Sequence, residues 1–336
     1  MTSSPDRHGA TVRLSRRRLS QLAAALVVVG AAGPVVSASP AAAGTDGHAW
    51  YARARVLAGK DPVLRSLVAA LAPGHEVPHP AAPAPIMLFD NVAFLSAGWV
   101  SATAVLTDDG IILLDALGSP AEAEDVIVAG LRSLGADPGA LRYVVVTHGH
   151  EDHFGGAQHI ADRYGARVMM APSDWDLVTR DPSPYAPARD LEIADGQTLT
   201  LGGTTLRLYY TPGHTPGTVS TILPVWTGGR RHTAMLWGGL NPPTGVEELR
   251  TYRTSIRSFA SRMREAKVDV ELASHPYDRG LERAELLRRQ PCGPNPFVLG
   301  RERTQRFMAV MDLMLRGLIE DAEGTAGTGG AGTPEA

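Results

Sequence analysis

The sequence predicts a layered α/β protein with hairpins on its sheets. Three observations carry that reading. Short β-rich runs alternate with helical stretches through the middle of the chain. "LRYVVV", Leu141 to Val146, is continuously apolar, as in a strand buried on both faces. Pairs of β-rich runs are joined by tight turns at Asp109-Gly110 and Gly202-Gly203.

The elements follow in order. Tyr51 to Leu71 reads as one or two short helices broken at Asp61-Pro62, and "PHPAAPAP", Pro78 to Pro85, as an extended linker. "IMLF" and "VAFL" are short strands. "SATAVLTDDGIILLDA" is a hairpin. Ser119 caps a helix that has Pro120 at its first position and runs to about Leu134. A further helix follows the strand Leu141 to Val146 and ends near Tyr164. "ARVMMA" is the next strand, and "TLTLGGTTLRLYY" another hairpin. "GTVSTIL" and "HTAMLW" are strands around the turn "TGGRR". Leu249, Tyr252, Ile256, Phe259 and Met263 recur at spacings of three and four, so Val246 to Ala266 is an amphipathic helix. "VDVELAS" is a strand that ends at His275. Phe307, Met311, Met314 and Leu318 mark a C-terminal helix, followed by a Gly/Thr-rich tail expected to be disordered from about residue 321.

With 336 residues, 44% hydrophobic and 20% charged, the chain can bury a sizeable core. The net charge of -3 gives no sign of a nucleic-acid partner. Cys292 stands alone, so no intramolecular disulfide can form. The first 43 residues read as an export signal. "SRRRLS", Ser15 to Ser20, precedes the apolar run Leu22 to Val29, and small residues follow at "VSA" and "AAAG". Arg16 and Arg17 resemble a twin-arginine signal, which predicts a secreted or periplasmic protein with no stable membrane anchor after cleavage. The apolar run is short and broken by Gly30, Gly33 and Pro34. The expected organisation is therefore a signal at 1–43, an N-terminal helical extension and linker at 44–84, a catalytic domain at 85–320 and a tail at 321–336.

The densest chemistry lies at the end of the buried strand, in "VVVTHGHEDHFGG", Val144 to Gly156. His148, His150, Asp152 and His153 offer nitrogen and oxygen donors of the kind zinc takes. Gly149, Gly155 and Gly156 allow close backbone approach and unusual dihedrals. Two more histidines, His214 in "TPGHTPG" and His275 in "ASHPY", also sit at strand ends. Together the six residues make two sets of three. His8, His48, His75, His79, His159 and His232 lack that setting, with His159 the nearest to an exception.

"THGHEDHFGG" resembles the H-x-H-x-D-H motif of the metallo-β-lactamase fold superfamily. "DALG", Asp115 to Gly118, resembles its strand-end aspartate motif, and "TPGHTPG" its third-histidine motif. The resemblance covers Pro85 to about Glu320 and implies a four-layered αβ/βα sandwich with a metal site along one edge of two sheets. It implies that His148, His150 and His214 hold one Zn²⁺, and that Asp152, His153 and His275 hold a second. Asp115 would orient the loop or a histidine behind them.

Many members of that superfamily bridge the two ions with an aspartate just after a strand. Here that strand ends in Gly238-Gly239-Leu240, so the bridging carboxylate is absent. This argues against the glyoxalase-type and lactonase-type branches. No cysteine stands nearby, as the first subclass of metallo-β-lactamases requires. The Asp-His-His second set resembles the third subclass, as do the hairpin region around Trp99, "LNPPTG" with Asn241, and "PNPF". Trp99 and Asn241 are the candidate substrate contacts. The departures are "DALGSP", the missing serines of the "LNPPTG" loop, and the impossible disulfide.

The resemblance implies hydrolysis of a small molecule by water activated between two zinc ions, with Asp152 orienting it. A β-lactam amide is the leading substrate. Another ester, a lactone or a phosphoester is the alternative, and an exported zinc-binding protein without turnover is the reading from a different class. No G-x-S-x-G suggests a serine nucleophile.

Overall fold

The computed structural model describes residues 47–76, 78–181 and 183–328. The expected export signal lies outside the described residues.

Seven strands form the first sheet in sequence order: β1 (Ile86–Phe89), β2 (Val92–Ser96), β3 (Ser101–Thr107), β4 (Gly110–Leu114), β5 (Leu141–Val145), β6 (Arg167–Met170) and β7 (Leu191–Glu192). Pairing is antiparallel up to β4 and parallel from β4 to β7. The second sheet contains β8 (Thr198–Leu201), β9 (Thr204–Tyr210), β10 (Val219–Thr227), β11 (Arg230–Trp237) and β12 (Val270–Ala273), in the order β12-β11-β10-β9-β8. Only β11 and β12 run parallel there.

The helices are α1 (His48–Ala58), α2 (Pro62–Ala70), α3 (Pro120–Glu122), α4 (Ala129–Ser133), α5 (Glu151–Phe154), α6 (Ala157–Tyr164), α7 (Pro172–Arg180), α8 (Val246–Ala266), α9 (Gly280–Arg289) and α10 (Arg301–Thr328). A π-helical stretch, Ala123–Val128, joins α3 to α4. Three apolar clusters separate four layers. Ile127, Leu131, Ile160 and Trp175 pack on the outer face of the first sheet. Phe94, Ile112, Leu114 and Val145 meet Leu206, Leu223 and Leu236 between the sheets. Leu64, Leu67, Phe259, Met263, Phe307 and Met311 cover the outer face of the second sheet. The arrangement is the expected αβ/βα sandwich. Helix α8 shows how it is held: Leu249, Tyr252, Ile256, Phe259 and Met263 are all buried, and each such side chain contributes about 1.5–3 kcal/mol.

Local rules set the helix starts. Asp61 accepts from the amides of Val63 (3.1 Å) and Leu64 (3.5 Å) at the head of α2. Ser119 accepts from Glu122 N at 3.1 Å, while the Glu122 carboxylate takes the Gly118 amide at 2.8 Å.

The structure departs from the sequence reading in five places. The first hairpin turns at Asp108-Asp109, with Gly110 already in β4. Helices α7 and α9 and the short strand β7 were not expected. Helix α7 buries only Asp174, Trp175 and Val178, and α9 only Gly280, Arg283 and Ala284, which is too few apolar positions for a periodic signal. Helix α10 continues to Thr328, past the expected start of the tail. Tertiary contacts offset its glycines: Asp321 accepts from Gly47 N (2.8 Å) and Tyr51 Oη (2.6 Å), and Arg250 reaches Glu323 at 2.5 Å. Helices α1 and α2 share one core with α8 and α10. No described helix is long and apolar enough to cross a membrane. Cys292 is exposed.

Candidate metal centre

The donors come from loops at one edge of the two sheets. Strand β5 ends at Val145, and His148 and His150 lie on the loop beyond it rather than along the strand. Asp152 and His153 lie in the short helix α5. His214 occupies the connection between β9 and β10, and His275 follows β12. Gly155 and Gly156 serve close approach alone: a Cβ would stand 2.2 Å from the Gly118 backbone and 2.3 Å from Ala116 O, and neither has a positive φ.

The expected residues come together in the expected sets. Ligand atoms of His148, His150 and His214 lie within 4.8 Å of one another, as do those of Asp152, His153 and His275. The two sets adjoin, since the His148 and His153 rings stand 3.9 Å apart. His159 is elsewhere, beside Glu124 at 3.2 Å on the outer helices. His232 is buried and bonded to Asp269 at 2.8 Å.

Asp115 is the hub behind both sets. Its carboxylate accepts from Thr147 N (2.7 Å), Thr147 Oγ1 (3.0 Å) and Ser274 Oγ (2.8 Å), and faces His153 Nδ1 at 2.8 Å. Thr147 Oγ1 in turn stands 3.1 Å from His148 Nδ1. One fully buried carboxylate therefore ties the loops that carry His148, His153 and His275. Asp115 adopts a φ of 62°, a left-handed conformation that aspartate tolerates better than most residues.

Whether these donors suit a metal follows from their outer nitrogens. His214 Nδ1 faces Asn241 O at 2.6 Å, and His275 Nδ1 faces Trp99 O at 2.8 Å. A carbonyl only accepts, so both Nδ1 atoms carry the proton and both Nε2 atoms present lone pairs. His153 Nδ1 likewise donates to Asp115. Yet His153 Nε2 and His275 Nε2 stand 3.1 Å apart, and His148 Nε2 and His214 Nε2 3.0 Å. Two lone pairs cannot face each other so closely, so each contact holds either a shared proton or a metal ion between the nitrogens. Tetrahedral zinc would set two imidazole nitrogens roughly 3.3 Å apart. The donor set fits a divalent metal in both positions.

The electrostatics agree. Burial holds His148 well below the usual imidazole range, and it takes His214 to about 3 and His275 to about 4, with neighbouring histidines adding to the effect. Neutral imidazole is the metal-binding form. His153 is the exception: burial opposes its charge, but Asp152 and Asp115 outweigh burial and push it up to about 10. Bound metal would take the place of that proton. Asp152 is held below the carboxylate range because His153 and His275 overcome its desolvation.

The sequence reading missed a second buried carboxylate. Asp174, in α7, accepts from Gly149 N (2.7 Å), Thr215 Oγ1 (2.6 Å) and Gly217 N (2.7 Å). It locks the His148–His150 loop to the His214 loop. Burial raises its pKa, and these three bonds pull it back. Trp99 and Asn241 lie beside the centre: their backbone carbonyls orient His275 and His214, and the Trp99 ring stands 6.0 Å from that of His275.

The fold and this edge site define a class. Residues 97–225 match the Metallo-beta-lactamase superfamily. The chain carries a domain of that superfamily, in the fold of its members. Solved structures similar to it include a subclass B3 metallo-beta-lactamase of Bradyrhizobium japonicum, 24% identical with a TM-score of 0.60, matched over 74% of this chain and 97% of that one. Another is the metallo-beta-lactamase of Cronobacter sakazakii with a HARLDQ motif, 28% identical with a TM-score of 0.56, over 68% and 92%. By sequence, the chain is 36% identical over 137 residues to the hydroxyacylglutathione hydrolase of Acidiphilium cryptum (strain JF-5). That match covers 40% of this chain and less than half, 46%, of the relative.

Proposed function

We propose that this protein is an exported dinuclear zinc hydrolase that opens the strained cyclic amide of a β-lactam. The observation that carries the reading is the environment of Gly239. A Cβ there would stand 2.6 Å from His214 Cδ2, and one on Gly238 would stand 2.0 Å from Val219 O. These two positions leave no room for a bridging carboxylate after β11, so the second ion depends on Asp152, His153 and His275. That is the donor pattern the third subclass uses. The 28% identity to a metallo-beta-lactamase of Cronobacter sakazakii supports a hydrolase of this superfamily.

When bound, the two ions would supply Lewis acidity, lowering the pKa of water and polarising a carbonyl. The chain's own residues do the rest. His148, His150 and His214 present neutral nitrogens on one side, His153 and His275 on the other. Asp152, whose side chain is 20% exposed, has an ionised carboxylate that can accept a hydrogen bond from the attacking water and orient it. Asp115 and Asp174 keep the loops from relaxing apart.

A second reading has its own support. Several sequence relatives are named hydroxyacylglutathione hydrolase, so a hydroxyacylglutathione is the competing substrate. The test is turnover of a chromogenic β-lactam and of a hydroxyacylglutathione by zinc-loaded protein, beside Asp152→Ala. Cyclic-amide turnover that chelator abolishes, and that falls at least about a hundredfold in the folded variant, supports the proposal. Turnover of the hydroxyacylglutathione alone would replace it with the second reading.

A further inference from the structure

A cavity of about 500 Å³ lies one residue removed from the metal donors, within the range of about 300–1,000 Å³ typical of small-molecule sites. Leu71, Pro73, Pro242, Leu249, Leu318 and Ala322 supply apolar walls. Leu71 and Pro73 belong to the segment after α2, which precedes the superfamily match.

The cavity is joined to both donor sets. Asn241 lines it, and the Asn241 carbonyl accepts from His214. His75 also lines it, and its ring stands edge-on to Tyr277 at 5.7 Å. Tyr277 lies 5.5 Å from the ring of His275. One wall residue thus touches a ligand of the first set, and another reaches the second through a single ring. The segment bearing His75 follows directly from α2, which packs with α1 on α10.

We infer that the cavity receives an apolar, aromatic-sized side arm of the substrate while the reacting group lies at the metals. The inference rests on the reading of the centre as hydrolytic. The N-terminal helices then serve as a wall of the active site and set which side arms are preferred. A charged or small arm gains nothing there, while an apolar ring leaves water.

The test uses two acids that share a carboxylate and differ in the arm. Butyrate and 4-phenylbutyrate are titrated calorimetrically into the zinc-loaded full chain. The wild type is expected to prefer 4-phenylbutyrate by at least about tenfold, the size expected for burying one phenyl ring. Ala72→Trp and Ala322→Trp fill the cavity from opposite walls at half-buried positions. Each is expected to lose the preference while keeping butyrate affinity and zinc content. Two variants on separate elements, checked by melting temperature, guard against one that fails to fold. Equal affinity of the two acids for the wild type overturns the inference, as does an unchanged preference in the folded variants. If the preference and its loss are both seen but no β-lactam is hydrolysed, the subsite stands and the reaction assigned to the centre is wrong.

Discussion

Asp115 Oδ2 lies 2.8 Å from His153 Nδ1, and both side chains are buried. The same carboxylate also holds Thr147 and Ser274, the residues just before His148 and His275. Asp115→Asn preserves shape but removes the charge and offers only one acceptor oxygen where four hydrogen bonds converge. The variant is expected to bind zinc about ten- to a hundredfold more weakly, chiefly in the second set. Competitive zinc titration of folded variant and wild type measures this. Equal affinities would reduce Asp115 to a turn residue.

Gly239 makes a separate prediction. Any side chain there meets the His214 ring. Gly239→Asp is therefore expected to displace His214 and weaken the first zinc site by about tenfold or more, rather than to create a bridging ligand. Zinc titration again decides. A variant that binds two ions as tightly as the wild type would show that this edge accepts a bridging carboxylate, and the argument for the branch would fall.

These two residues show how legible the site was. The six donors were readable because histidines and acids crowd the ends of apolar strands, where a packing role is implausible. Asp115 was readable through its motif, but its three partners, Thr147, His153 and Ser274, were not, because they come from loops far apart in sequence. Asp174 gave no signal. Its helix α7 has too little apolar periodicity, and its partners Gly149 and Thr215 lie in two other loops. Strand and hairpin patterns predicted a layered α/β protein, and the resemblance carried by the histidine motifs implied the two-sheet sandwich. The length of α10 did not, since contacts from Gly47, Tyr51 and Arg250 hold a glycine-rich end in helix.

Asp61 predicts a pH effect away from the centre. It caps α2 and pairs with Arg303 at 2.8 Å and Arg306 at 3.2 Å. Burial opposes its ionisation, but Arg303 and the capped amides prevail and lower its pKa below the unfolded value of 3.8. A depressed carboxylate pKa stabilises the fold above that unfolded value, and the contribution is lost as pH falls through the folded one. Asp61→Ala is expected to cost about 1–2 kcal/mol near neutral pH. The difference from wild type should shrink below pH 3.8. Denaturant titrations at both pH values check it, and a pH-independent difference would contradict the ionic account.

Export makes its own prediction from Arg16 and Arg17 ahead of a weakly apolar run. Replacing both by lysine is expected to stop export by the twin-arginine route without lowering the activity of the purified protein. Immunoblots of cell and culture fractions measure it. Unchanged export in the double variant would point to another route.

Zinc stoichiometry of the full chain tests the central claim most directly. The protein is loaded with excess zinc, freed of unbound metal and analysed for bound ions beside His148→Ala and His275→Ala. Two Zn²⁺ per chain are expected in the wild type, because each set supplies three donors and water can complete each sphere. Each variant should keep one. A wild type that holds at most one tight zinc would contradict the dinuclear centre.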